Sequence, residues 1–128
     1  MTPPKVLYLS GPITGHPDFF ETFDSFERKL REKDFTIINP AKCINSKALQ
    51  EFINDEKFTY KYCLHRDINF IFHVDAVTVM PGWENSKGAR LEVFVAASVG
   101  IPIYTVDSLL NSTNPPSLDV TQFDFNFK

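Results

Sequence analysis

A glutamate inside an apolar helix is the residue of this chain best suited to chemistry. Glu92 lies in the stretch Lys87–Val99, which the pattern predicts to be a helix and which is almost wholly apolar after Arg90. An all-round apolar helix is usually buried, and a buried carboxylate needs a partner or a cavity. Gly88, four residues earlier on the same face, leaves space beside it. The pattern predicts a reactive carboxylate in a pocket, with an ordinary ion pair to Lys87 or Arg90 as the alternative.

The loop Ser10–Gly15 is a second candidate segment, because it directly follows the apolar strand Val6–Leu9. Open parallel sheets bind ligands at the carboxyl ends of their strands. The loop matches neither the GxGxxG pattern nor the P-loop, so it implies no dinucleotide or triphosphate. The alternative is an ordinary strand-to-helix connection.

The order of elements predicts a single domain over residues 1–128. Strands and helices alternate, which predicts an α/β fold: a doubly wound sheet of four to five mostly parallel strands with helices on both faces. The predicted strands are Val6–Leu9, Phe35–Ile38, Ala76–Met80 and Ile101–Val106, with a possible edge strand at Val120–Phe127. The predicted helices are Asp18–Arg31, Phe58–His73 and Lys87–Val99, with shorter ones at Lys47–Ile53 and Asp107–Asn111. Asn85 or Ser86 is the predicted cap of the Glu92 helix.

Composition narrows the class of partner. The net charge is −3 and the isoelectric point about 5.5, which argues against a nucleic-acid polymer as partner. Cys43 and Cys63 form no metal-binding pattern, so we expect no metal and a reduced, cytoplasmic protein. We expect no signal peptide and no membrane span. The apolar surface of the Glu92 helix exceeds what one sheet covers, which favours a homodimer or higher homo-oligomer.

Four motifs in order resemble the nucleoside 2-deoxyribosyltransferase superfamily, and most closely its branch of 2'-deoxynucleoside 5'-phosphate N-hydrolases. They are Tyr8-Leu9-Ser10-Gly11-Pro12-Ile13-Thr14-Gly15, Arg66-Asp67-Ile68-Asn69, Asp75-Ala76-Val77 and Ser86-Lys87-Gly88-Ala89-Arg90-Leu91-Glu92. The likeness runs from about Val6 to Tyr104 and implies a flavodoxin/Rossmann-like fold. The Pro-Gly-Trp-Glu-Asn form of the turn before the last motif resembles a branch found in bacteriophages and bacteria.

The resemblance implies catalytic roles for three residues. Glu92 matches the nucleophile that attacks the anomeric carbon and expels the base. Tyr8 matches a catalytic tyrosine that would orient Glu92; its alternative is a core tyrosine. Asp67 matches an aspartate that assists protonation of the leaving base; its alternative is a local pair with Arg66. Asp75 would be a supporting carboxylate in the substrate site, or a strand-end residue bonded to backbone.

The resemblance also implies a substrate-binding set: Ser10, Gly11, Pro12, Ile13, Thr14, Gly15, Asp75, Trp83, Ser86 and Gly88. In the hydrolases the first loop and the Ser-x-Gly pair hold the 5'-phosphate, and Ser86 and Gly88 match that pair. Pro12 and Thr14 stand where the hydrolases have Ser and Arg, a loss for which Lys87 or Arg90 could compensate. Trp83 would stack on the base, with packing as its alternative.

The implied activity is hydrolysis of the N-glycosidic bond of a (deoxy)nucleoside 5'-monophosphate, releasing base and sugar 5-phosphate with no cofactor. Two alternatives stay open: base exchange by a nucleoside 2-deoxyribosyltransferase, and a non-catalytic protein that binds or sequesters nucleotides. The base and the sugar's 2' group are not specified by the sequence.

Overall fold

The computed structural model of the chain describes residues 4–13, 15–44, 56–121, 123 and 125. Thr14 and the helix predicted at Lys47–Ile53 lie outside these residues. The strands are β1 (Val6–Ser10), β2 (Thr36–Ile38), β3 (Ala76–Val79) and β4 (Ile103–Thr105). The helices are α1 (Phe19–Arg31), α2 (Pro40–Ile44), α3 (Glu56–Ile71), α4 (Lys87–Ser98) and α5 (Val106–Asn111), with a 3₁₀ turn at Trp83–Asn85.

The four strands form one parallel sheet in the order β2-β1-β3-β4. Each face of the sheet carries its own core. Phe23, Leu30 and Leu109, from α1 and α5, pack on one face. Ile71, Val93 and Ala96, from α3 and α4, pack on the other. Helices on both faces confirm the predicted doubly wound fold, in which the chain changes face between β2 and β3.

The central strands β1 and β3 are almost completely buried, as the short apolar runs predict. Helix α1 turns Phe23 and Leu30 fully inward, which confirms its predicted apolar face. Ser86 caps α4 by accepting a hydrogen bond from the Ala89 N–H at 3.2 Å. Of the two candidate caps, Ser86 is therefore the one used.

Two parts of the fold differ from the expectation. A short helix that was not predicted, α2, begins directly after β2. Asn39 Oδ1 accepts from the Ala41 N–H at 3.0 Å, and Pro40 occupies the first helical position. The tail forms no edge strand within its described residues, because its aromatic rings pack on side chains instead. Phe123 lies on Trp83 at a ring-centroid distance of 4.9 Å, and Phe125 on Phe94 at 5.5 Å.

Helix α4 is not buried on all sides within one chain. Ala89, Glu92, Val93 and Ala96 are buried, while Phe94 keeps 44% of its surface exposed. Phe72, directly after α3, and Val99, directly after α4, are exposed as well. Among the helices of the described residues, none is both long and apolar enough to cross a membrane.

Candidate active site

The alternation of β1 sets the floor of the candidate active site. Tyr8 and Ser10 are two residues apart, so their side chains leave the same face of the sheet. Both are fully buried, and they pair in register with Val77 and Val79 of β3. This is the face that α4 covers, and Ser10 is the last residue of β1, at the carboxyl edge of the sheet.

The Glu92 carboxylate is held by both hydroxyls. Tyr8 Oη donates to Glu92 Oε2 at 2.5 Å, and Ser10 Oγ donates to Oε1 at 2.8 Å. These contacts join residues 84 and 82 positions apart in the chain. Only 7% of the Glu92 surface is exposed. The structure thus places Glu92 in the interior with hydrogen-bond donors on both oxygens and not in an ion pair with Lys87 or Arg90.

Burial shifts the ionisation of the site toward neutral forms. Desolvation, reinforced by the nearby Asp67 carboxylate, raises the pKa of Glu92 to about 8, although hydrogen bonds from Tyr8 and Ser10 oppose the rise. Desolvation likewise raises the pKa of Tyr8 well above its usual range, and the charges of Glu92 and Asp67 add to the effect. At neutral pH the free site therefore holds a proton that an exposed glutamate would have lost.

Asp67 joins the same group from α3 and is also buried, at 7% exposure. Burial raises its pKa, while hydrogen bonding from Arg66 and Tyr8 and the Arg66 charge act in the opposite direction. Arg66 Nη2 lies 2.8 Å from Asp67 Oδ1. The local pair with Arg66 that was the alternative for Asp67 is present. Asp67 nevertheless also interacts with Tyr8 and Glu92. The structure thus brings together the three residues predicted to be catalytic.

A cleft of about 500 Å³ opens at this edge of the sheet, lined by Pro12, His16, Gly82, Asn85, Ser86, Lys87 and Gly88. Glu92 does not line the cleft itself but lies one helical turn beyond Gly88 on the same helix face. A Cβ atom added at Gly88 would meet no atom within 4 Å. Gly88 therefore leaves open space in the cleft, one helical turn before Glu92.

The first loop contributes to the cleft unevenly. Pro12 lines it, whereas Ile13 packs against the core on the other face of the sheet. Gly11 packs closely on Met80: a Cβ there would lie 2.2 Å from the Met80 Cε atom, so the end of that flexible side chain would have to shift. Gly15 has a φ of 81°, a left-handed conformation that favours glycine.

Two residues predicted to bind substrate lie elsewhere. Asp75 precedes β3, so it sits at the amino edge of the sheet, away from the cleft; its Oδ2 accepts from the Lys5 and Val6 N–H groups at 3.0 and 2.9 Å. Those bonds lower the pKa of Asp75. Trp83 is 3% exposed and covered by Phe123, which leaves no free face on which a base could stack. Both residues have the structural roles that were their alternatives.

Four cleft residues were not part of the predicted set: His16, Gly82, Asn85 and Lys87. Their sequence positions could have identified them, since His16 follows the first loop, Gly82 precedes Trp83, and Asn85 and Lys87 flank Ser86. Lys87 adds a positive charge at the N-terminus of α4, whose free N–H groups favour an anion. Within the described residues, His, Cys, Asp and Glu side chains form no group of three that could hold a metal ion.

The fold and this site define a doubly wound α/β protein with a buried, hydroxyl-bound glutamate at the carboxyl edge of its sheet. Residues 5–105 match the model of a family described as a domain of unknown function, DUF4406, and the chain belongs to that family. Searches of curated proteins and of solved structures found no match. The matched segment contains Tyr8, Asp67 and Glu92, while α5 and the tail that packs on Trp83 follow it.

Proposed function

We propose that this protein hydrolyses the N-glycosidic bond of a (deoxy)nucleoside 5'-monophosphate, with Glu92 as nucleophile. The observation that carries the proposal is the hydrogen-bonded contact of Tyr8 and Ser10 with the two oxygens of a buried glutamate. Such donors fix the direction in which the carboxylate lone pairs point. A fixed carboxylate can stabilise, or bond to, the positive charge that develops at C1' as the base departs.

The chemistry divides among the three buried groups. Ionised Glu92 attacks C1' and forms a glycosyl ester as the bond to the base breaks, and Tyr8 keeps the attacking carboxylate in place. A base leaves poorly as an anion, so it needs a proton, and Asp67 is the neighbouring group suited to deliver one. Water then hydrolyses the ester and releases the sugar 5-phosphate.

The cleft supports the phosphate part of the proposal. Lys87 and the capped N-terminus of α4 line it, and both favour an anion. Ser86 and Gly88, the residues of the Ser-x-Gly pair, line it too. In this proposal the 5'-phosphate lies in the cleft at the start of α4, and the sugar extends past Gly88 toward Glu92.

We also propose that two copies associate through the exposed apolar side of α4 in the cytoplasm. Phe94 on α4 and Val99 directly after it are exposed apolar side chains, and Phe72, directly after α3, is a third. Sedimentation of the wild type should give a dimer or larger species, and Phe94→Glu should shift it toward the monomer. A wild-type monomer at micromolar concentration would contradict this part.

The experiment that tests the activity is incubation with a panel of nucleosides and 5'-monophosphates, read by chromatography for released base. Glu92→Gln should abolish release. Glu27→Gln is the matched control, because Glu27 is also a buried helical glutamate but pairs with Arg31 and Lys42 on α1 and α2. Release from no compound, or full activity in Glu92→Gln, would contradict the proposal.

Adding a second free base separates hydrolysis from its nearest rival. Exchange of bases on an unphosphorylated nucleoside would identify a deoxyribosyltransferase. Stoichiometric binding of a nucleotide without turnover, unchanged by Glu92→Gln, would identify a sequestering protein. Either outcome would replace the hydrolase assignment.

A further inference from the structure

The ion pair beside Glu92 has an unusual geometry. Arg66 and Asp67 are adjacent on α3, and adjacent helical residues do not normally face each other. Here the Arg66 guanidinium nevertheless reaches Asp67 Oδ1 with both Nε, at 3.1 Å, and Nη2, at 2.8 Å. Nη2 also lies 3.5 Å from the Pro40 carbonyl oxygen of α2. The guanidinium thus lies between the Asp67 carboxylate of α3 and the Pro40 carbonyl oxygen of α2.

The pair is largely withdrawn from water, with 17% of the Arg66 side chain and 10% of the Asp67 side chain exposed. A screened surface pair contributes little, whereas removing one partner of a buried pair leaves an uncompensated charge. The Arg66 charge acts on the whole site, because it opposes the rise that burial causes in the pKa of Tyr8, Asp67 and Glu92. At Asp67 it acts through a hydrogen bond as well as through its charge.

The two buried carboxyl groups therefore have unlike partners. Asp67 has a cation, while the hydrogen bonds that the structure gives Glu92 come from the neutral hydroxyls of Tyr8 and Ser10. The ionisable groups facing Glu92 among the described side chains are Tyr8 from β1 and Arg66 and Asp67 from α3. When two close carboxyl groups share a site, the one with the cation ionises first and the other keeps the proton.

We propose that Arg66 is a positioning residue that anchors Asp67 as the ionised carboxylate and so leaves the proton of the site on Glu92. For its part in catalysis this inference rests on the proposed function. With the proton on Glu92, the short Tyr8–Glu92 contact runs from the Glu92 O–H to Tyr8 Oη, and Tyr8 donates its own proton to Asp67. As the nucleotide reacts, the Glu92 O–H bond breaks, and Tyr8 accepts that proton while its own passes to Asp67. Asp67 then gives a proton to the departing base. One proton moves from nucleophile to leaving group, and no further reactant is needed.

The test is a carbon NMR titration of side-chain carboxyls, with Asp67 assigned from Asp67→Asn. In Arg66→Gln the Asp67 midpoint should rise by about 1–3 pH units, because a neighbouring arginine lowers an aspartate pKa by that amount. Arg66→Lys keeps the charge but loses the fork of donors, so its shift should be smaller. Arg28→Gln is the matched control: it removes one exposed arginine that pairs with Asp24 on α1, and it should not move Asp67.

An unchanged Asp67 midpoint in Arg66→Gln, or an equal shift in Arg28→Gln, would overturn the proposal. If Arg66→Gln does not fold, Arg66→Lys decides by the presence or absence of an upward shift. The titration does not depend on turnover. A shifted midpoint in a protein that cleaves no nucleotide would support the role of Arg66 and refute the proposed reaction. Cleavage of a nucleotide together with an unshifted Asp67 titration midpoint would support the proposed reaction and refute the role of Arg66.

Discussion

Replacing Glu92 by glutamine should make the protein more stable than the wild type at pH 8, and progressively less so at lower pH. The reason is the pKa of Glu92, which burial raises from 4.5 to about 8. Between these two pH values the native state keeps a proton that the unfolded state has lost. Stability therefore falls as pH rises through this window, because the unfolded state binds fewer protons. Glutamine does not titrate and lacks this dependence.

The size of the effect follows from the linkage. One pH unit corresponds to about 1.4 kcal/mol for a single proton, so the wild type should lose roughly 3 kcal/mol relative to Glu92→Gln between pH 5 and pH 8. Glutamine can still accept from one hydroxyl and donate to the other, so the packing around Tyr8 and Ser10 is conserved. Taking the difference between the two proteins removes the contribution of groups that titrate alike in both.

The assay is urea unfolding at pH 5, 6, 7 and 8, followed by fluorescence of the single tryptophan, Trp83, which is buried. Glu27→Gln gives the control. Burial acts against ionisation of Glu27, but hydrogen bonds from Arg31, Asn39 and Lys42 lower its pKa overall. The contribution of Glu27 to stability is present above pH 4.5 and is lost as pH falls below it. The difference in unfolding free energy between the wild type and Glu27→Gln should therefore be constant from pH 6 to 8. A flat difference for Glu92→Gln as well would refute the raised pKa.

Three further predictions concern activity. The kcat/KM should be level just below pH 8 and fall above it, since the proton that Glu92 holds up to that pH is the one passed to the leaving base; a profile that rises tenfold per pH unit up to pH 8 would show that this proton is not the one used. Tyr8→Phe should lower kcat/KM by about 10–100-fold through loss of the hydrogen bond to Glu92, whereas Tyr104→Phe, on β4, should have little effect. Lys87→Ala should raise KM for a monophosphate by about tenfold and leave KM for the nucleoside unchanged, as a phosphate contact requires; equal changes for both would place the phosphate elsewhere.

The fold was predictable because its signals are local. Short apolar runs alternate with helical periodicity, and the four clear runs became parallel strands, of which the central two are almost completely buried. The burial of Glu92 was predictable for the same reason, since its helix neighbours are apolar. Alternation puts Tyr8 and Ser10 on one side of β1. The contact of Tyr8 with Glu92 was expected from the family resemblance, whereas Ser10 was expected to bind substrate and instead donates to Glu92.

Other features depend on contacts that a local pattern does not contain. Trp83 is buried because Phe123, forty residues later, covers it. The burial of Glu27 was not visible in its charged helix segment, since two of its three partners, Asn39 and Lys42, lie outside α1, and only Arg31 is a neighbour on the same helix. Asp75 is a different case: it precedes its strand, and in a parallel sheet that position alone places it at the edge away from the ligand.

The central claim is that the Glu92 carboxylate bonds to C1' of a nucleotide. Its most direct test is mass spectrometry of the protein after reaction with a nucleoside 5'-monophosphate carrying a 2'-fluoro substituent that slows hydrolysis of the ester. The account predicts a peptide containing Glu92 whose mass is increased by one sugar phosphate, and no such adduct in Glu92→Gln. An adduct on another residue, or base release with no adduct on Glu92 under any quench, would contradict it.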